Sequence, residues 1–245
     1  MSTDNALVRS QKLLWNGLPE STKGPRPALT LDQIVVSAVE LADTEGVEAL
    51  SMRRLARELG VGTMSLYRYV PGKVELINLM VDRVVGGSRD RFADLGDDWR
   101  AVLERSARQG RLTYLRHPWL LQVNLARPIL GPGSVADFAA TMRGLRSMPL
   151  TDREKVAVLT AVEGFVVGTV REEILYEKAA EETGMSEEEF WELQLPYLES
   201  AVETGEFPGL EDVDEGAFDG TWEETFDTGL AAMLDGLELR LTSGH

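Results

Sequence analysis

A Ser or Thr stands three residues before a Glu or Gln at the edge of an apolar run in Thr30-Leu-Asp-Gln33, Thr151-Asp-Arg-Glu154 and Ser186-Glu-Glu-Glu189. Each is a capping box, in which the hydroxyl and the longer side chain take up N–H groups that the first turn of a helix leaves without partners. The residues behind each box repeat with the helical period. After Thr30, Ile34, Ala38, Leu41 and Ala42 share a face until Gly46 ends the run. Ser51 opens a second helix with Met52, Leu55, Ala56 and Leu59, stopped by Gly60. A third covers about 63–69, Pro71-Gly72 breaks it, and Val74, Ile77, Val81 and Val84 carry a fourth to Gly86-Gly87. Further on, Asp97 or Asp98 opens a helix through Trp99, Val102 and Leu103, and Pro118 opens a shorter one. Ser134 is the expected cap of another, with Val135, Phe138, Met142 and Leu145. A long apolar helix spans 152–178, one over 187–204 should kink at Pro196, and a last one covers about 221–241. No stretch keeps the alternation of a strand, so an all-α fold is predicted.

The punctuation divides the chain. Residues 1–29, with Asn16, Gly17, Pro19, Gly24, Pro25 and Pro27 around the basic pair Lys23 and Arg26, predict a flexible basic arm. Residues 30–87 predict a small helical domain, and 88–245 a larger one. Charge is just as uneven. The net charge is −16, yet residues 181–245 alone hold nineteen acids against the single Arg240, and residues 1–90 balance at eleven of each sign. A polyanionic partner therefore belongs at the N-terminal end, away from the acidic tail.

Several function classes find no support. There is no cysteine, which removes disulfides and thiolate metal sites, and the two histidines, His117 and His245, are too few for a histidine-based metal or triad site. No P-loop, dinucleotide fingerprint or nucleophile elbow is present, so neither an enzyme nor a cofactor is expected. The acidic clusters Glu187–Glu189 and Glu211–Glu215 suit a helix start and a solvated loop better than a metal. Neither a signal peptide nor a membrane span is visible, and a cytoplasmic protein with no membrane partner is expected.

The positive content lies between Leu50 and Leu79, where two short helices are joined by the turn Gly60-Val61-Gly62. That is the helix-turn-helix arrangement, whose second helix enters the major groove of DNA while the first crosses the backbone. Arg53 and Arg57 share a face with Arg54 beside them, all suited to phosphate. Gly62, Thr63 and Ser65 are small enough for close approach to base edges. Tyr67, Arg68 and Tyr69 add donors, Lys73 adds a cation at the next helix start, and Leu66 and Val70 should point inward; Met64 fits either groove contact or packing. The run from Ser51 to Leu76 closely resembles the DNA-binding domain of the TetR family of bacterial repressors, with Leu66-Tyr67, Val70, Lys73 and Leu76 at the family's spacing. The resemblance implies that Thr63, Met64, Ser65 and Arg68 read bases and that Ser51, Arg53, Tyr67, Tyr69 and Lys73 hold phosphate. It further implies a ligand-released repressor on a palindromic operator. Lys23 and Arg26 would reach along a groove. A helical interaction scaffold without operator binding is the alternative.

Two-fold operators call for a homodimer. Ala157, Ala161, Gly164 and Gly168 on helix 152–178, and Phe226, Leu230, Met233, Leu237 and Leu241 on the last helix, form stripes suited to a four-helix seam or to packing within the chain. For a small-molecule effector, Glu163 stands in a stripe with Val156, Leu159, Val167 and Val170. It is either a ligand anchor or half of an ion pair with Arg143 or Arg171. Trp119, Asn124, Phe138, Met142 and Phe165 are candidate pocket walls, or plain core. In the family that the chain resembles, the tetracycline repressor chelates a metal-bound drug through a histidine in this region; no histidine stands close to Leu125-Ala-Arg-Pro128, so the resemblance does not imply a tetracycline–magnesium effector.

Overall fold

The computed structural model describes residues 5–18, 29–86, 92–125, 128–207, 209 and 213–243, with Glu187 and Glu215 described by backbone alone. Among these residues it is helical without a strand. The helices are α1 (Ala6–Asn16), α2 (Leu31–Glu45), α3 (Met52–Glu58), α4 (Thr63–Leu66), α5 (Lys73–Val85), α6 (Trp99–Arg116), α7 (Pro132–Gly144), α8 (Asp152–Thr183), α9 (Glu187–Thr204) and α10 (Trp222–Thr242). The chain forms two compact units, Met1–Glu163 and Gly164–His245, which divide inside α8.

The expected caps are made. At α2, Gln33 N donates to Thr30 Oγ1 and Thr30 N to Gln33 Oε1; Thr151 with Glu154 and Ser186 with Glu189 repeat this. A fourth box, Thr221 with Glu224, opens α10. Hydrogen bonds from the Ser186 and Thr221 backbone and hydroxyls hold the Glu189 and Glu224 carboxyls below their ordinary range.

Three expectations need correction. The segment assigned to a mobile arm contains α1, capped by Asn5, whose side chain accepts from Leu7 N. Its helix is held by docking: Arg9 pairs with Glu75 at 2.7 Å, and Asn78 donates to Ser10 Oγ at 2.9 Å. Second, the expected stripe of α5 is only partly buried, Val81 being buried and Ile77 and Val84 half-buried. Val74 is exposed, while Leu76, Leu79, Met80 and Val81 are buried together with Glu75 and Asp82. Glu75 and Asp82, seven residues apart, lie on one face of the helix. Both can be buried because each finds donors, Glu75 from Arg9 and Asp82 from α7. Third, Ser134 does not cap α7. The helix starts at Pro132, and the oxygens of Asp82 accept from Gly133 N (3.1 Å), Ser134 N (2.8 Å) and Ser134 Oγ (2.7 Å). A carboxylate from another helix thus serves as the cap, at the end where the helix dipole favours negative charge.

Glycine makes this clasp possible. A Cβ on Gly131 would lie 2.4 Å from the Asp82 carboxyl carbon, and one on Gly86 2.8 Å from Gly133 Cα. Behind it, Leu55, Leu66, Val70, Leu76 and Met80 fill the head, while Val102, Leu103, Leu120 and Leu145 fill the region around α6 and α7. Asp43 of α2 accepts from Trp119 Nε1 at 2.8 Å and lies 2.7 Å from His117 Nδ1.

The second unit has its own core of Val166, Val170, Phe226, Leu230 and Leu234, with Phe165 against Phe226 and Tyr176 against Trp222. Gly229 lets α10 approach α8 closely, since a Cβ there would sit 2.6 Å from the Phe165 ring. Phe226 and Leu230, expected on a possible dimer seam, are therefore consumed within the chain. The helix α9 runs on through Pro196, and Trp191 stacks on Phe218.

Candidate nucleic-acid interface and effector region

Ser51 ends an extended backbone and caps α3 through Oγ, which accepts from Arg54 N at 3.1 Å. The following turn is tight: Val61 N reaches back to Ala56 O, and Gly60 takes a φ of 66°, in the left-handed region. Gly62 then begins α4, which is shorter than the predicted 63–69. After Leu66 the chain continues as turns, with Arg68 N to Ser65 O and Tyr69 N to Leu66 O. Leu66 and Val70 are fully buried, so the residues between them are turned outward.

The four residues expected to read bases differ in exposure. Met64 is 78% exposed, which removes packing as its role, and Gly62, Tyr67 and Arg68 are exposed. Thr63, Ser65 and Tyr69 are half-buried beside them. Arg53 and Arg57 are exposed on α3. Two expected phosphate ligands are engaged elsewhere. Arg54 pairs with Glu45 at 2.6 Å and Glu58 at 2.7 Å, and those hydrogen bonds raise its already high pKa. Lys73 Nζ donates to Val47 O at 2.8 Å. Lys23 and Arg26 lie outside the described residues.

In the effector region, Trp119 is buried with its indole N–H spent on Asp43, while Asn124 and Phe138 are exposed and Met142 is half-buried. Phe165 belongs to the second unit, in contact with Phe226. Glu163 is exposed, and its partner is neither of the arginines considered but Tyr114 of α6, whose hydroxyl donates to Oε1 at 2.6 Å. Tyr114 itself is buried; desolvation first, then the Glu163 charge and this hydrogen bond, push its phenol well above the ordinary range. Sequence reasoning missed Tyr114, although Val102, Leu103, Ala107 and Tyr114 fall on one face of α6. Among the described residues no group of three or more His, Cys, Asp or Glu could hold a metal ion, and no helix is long and apolar enough to cross a membrane.

A helix-turn-helix with an exposed edge, followed by a larger helical region, defines a DNA-binding transcriptional regulator. Comparison with known proteins makes the family plain. Residues 34–80 match the family described as bacterial regulatory proteins, tetR family, and 92–241 match the tetracyclin repressor-like C-terminal domain. The chain belongs to the TetR family of DNA-binding transcriptional regulators. It is 47% identical over 234 residues to the HTH-type transcriptional repressor DrrR1 of Streptomyces coeruleorubidus, covering 95% of this chain and 86% of that one. Among solved structures, apo ActR from Streptomyces coelicolor superposes with a TM-score of 0.71 at 28% identity, over 90% of this chain and all of ActR. ActR in complex with actinorhodin gives 0.69 at 29%, over 89% of this chain and all of that one.

Proposed function

We propose that the chain works in the cytoplasm as a homodimeric repressor on a palindromic operator, with Thr63, Met64, Ser65 and Arg68 reading bases. Arg53, Arg57, Tyr67 and Tyr69 hold phosphate, and Lys73 braces the head through Val47 O before it can serve DNA. The observation that carries this reading is Met64, 78% exposed on a helix whose neighbour Leu66 is fully buried. An apolar side chain displayed beside Arg68 suits contact with a groove, including a thymine methyl. For the dimer, Ala157, Ala161, Gly164 and Gly168 are all exposed along α8, and on α10 Gly236 is open and Leu239 67% exposed. Small residues in open space permit close helix approach by a second copy.

For release, the Tyr114–Glu163 hydrogen bond supports an effector anchor, since a ligand with a hydroxyl or cationic group can replace the phenol as donor to Glu163. The ActR–actinorhodin complex makes actinorhodin a reasonable first probe. The test is selection of genomic fragments bound by the full chain, footprinting of the enriched fragment, and titration of actinorhodin and a panel of compounds into the complex. A two-fold footprint lost on ligand addition is the expected result. Absence of any enriched fragment at low salt would overturn operator binding and favour a protein-interaction scaffold.

A further inference from the structure

We propose that α1 is a strap tying the DNA-reading head to the start of α7, and so a working part of the switch between operator-bound and released forms. Its regulatory meaning rests on the function proposed above; its mechanical part does not. At 11 residues α1 is too short to be stable alone, since isolated helices below about 12–15 residues are marginal in water. Its helical state therefore reports its docking.

The docking has two ends. Toward the head, Arg9 Nε meets Glu75 Oε1 at 2.7 Å, with the Glu75 side chain 2% exposed; the fully buried Ser10 accepts from Asn78 Nδ2 and donates to Ala6 O. Toward α7, Trp15 Nε1 and Gln11 Nε2 both donate to one acceptor, the Leu130 carbonyl, at 2.9 and 3.2 Å. Leu130 immediately precedes Gly131, the residue packed against the Asp82 carboxylate that caps α7. Three ties thus close a triangle: α5 to α1 through Glu75 and Asn78, α1 to Leu130, and the α7 start to α5 through Asp82. A closed triangle cannot shear without breaking a side, so movement at the α7 start must either carry α5 with it or release the strap.

α1 packs closely along α5, and its seat is incomplete on the side facing α2. An open cleft of ≈ 290 Å³ lies among Leu13 and Leu14 of α1, Leu31 and Val35 of α2, and Leu79 of α5. A helix packed along one neighbour but open on its other side, where Asp32 and Arg83 also border the cleft, can leave and return at lower cost than one sealed into a core all round.

The test reads one side of the triangle while cutting another. Arg9→Gln with Glu75→Gln removes the ion pair without stranding a buried charge, and amide exchange is followed at Gly133, Ser134 and Val135 in the free, full-length protein. Exchange there should quicken by about tenfold, whereas Lys12→Gln, on the exposed side of α1, should leave it unchanged. Unchanged exchange in the double variant overturns the strap. A second pair, Trp15→Phe with Gln11→Leu, cuts the Leu130 side alone and should shift affinity for the enriched genomic fragment at least about fivefold. Quickened exchange with unshifted affinity overturns the regulatory role. If the parent chain enriches no fragment, operator binding fails, and the exchange measurement still decides the strap.

Discussion

The reading edge and the α5–α7 junction use polar groups in opposite ways. At the edge, Arg53, Arg57, Tyr67 and Arg68 are exposed and Met64 is open to solvent. At the junction, Glu75 and Asp82 are buried and matched by donors from other helices, and three glycines bring backbones close. A surface that trades water for a partner is best served by exposed donors, because a donor already paired must break one bond to make another; Arg68 here makes a long contact of 3.5 Å to Ser65 Oγ. A joint that transmits position does the reverse: every buried polar group is bonded, so small displacements carry an energy.

The strongest challenge to this contrast is Asp82→Ala. It leaves the Gly133 and Ser134 donors at the α7 start without their acceptor, and should lower stability by about 2–4 kcal/mol in denaturant melts. A loss under half a kilocalorie would mean water replaces the carboxylate and the junction is not a committed site. Arg68→Ala should leave melts unchanged but relax operator preference at particular positions by about 1–3 kcal/mol each, read by binding to a base-substituted operator series. A uniform loss would move Arg68 to the phosphate set.

Glycines sharpen the same distinction in the second unit. Gly229→Ala should destabilise by about 1–3 kcal/mol, because its Cβ meets the Phe165 ring. Gly168→Ala, in open space within α8, should raise the stability of a dilute monomer by about 0.5–1 kcal/mol. If α8 forms the dimer seam, sedimentation should show Gly168→Ala weakening association at the same time. Smaller still is the difference between neighbouring arginines. Arg57→Gln should reduce the salt slope of operator binding by about 1, while Arg54→Gln should reduce it less, its guanidinium being held by Glu45 and Glu58. Equal slopes would show that DNA displaces those carboxylates.

The finest effect is a titration. Tyr114 has its folded pKa raised above the ordinary phenol value of about 10. Its stabilisation is therefore fully present below that value and is lost as pH rises through the folded pKa. In phenolate absorbance Tyr114 should ionise only above its ordinary range, coupled to unfolding, and Tyr114→Phe should delete that late step. An unchanged titration curve in Tyr114→Phe above that range would mean that the phenol is not buried against Glu163.

Much of the head is local in origin, and so legible in advance. Thr30 with Gln33, Ser51 before Met52, and Gly60 at positive φ act within a few residues, and Leu66 and Val70 bury because their spacing puts them on one face. The candidate reading set follows from those positions alone. What spacing could not show was which charged residues are spoken for. Arg54 has Glu58 one turn further on, a pair that spacing allows, but Glu45 arriving from α2 is a partner that no local pattern shows. The α5 face was misassigned for the same reason: apolar periodicity favours Val74 over Glu75, and a buried carboxylate is affordable only when a remote donor such as Arg9 reaches it. Gly131-Pro132-Gly133 reads as a loop until Asp82 is placed beside it, where it becomes the start of α7. Residue types and their spacing thus determined the helices, their order and the exposed edge of the helix-turn-helix, since caps, turns and periodicity are short-range. The docked α1, the Asp82 clasp and the Tyr114–Glu163 pair were decided by tertiary structure, because each joins residues 49 or more positions apart, and their worth depends on burial that no local pattern encodes.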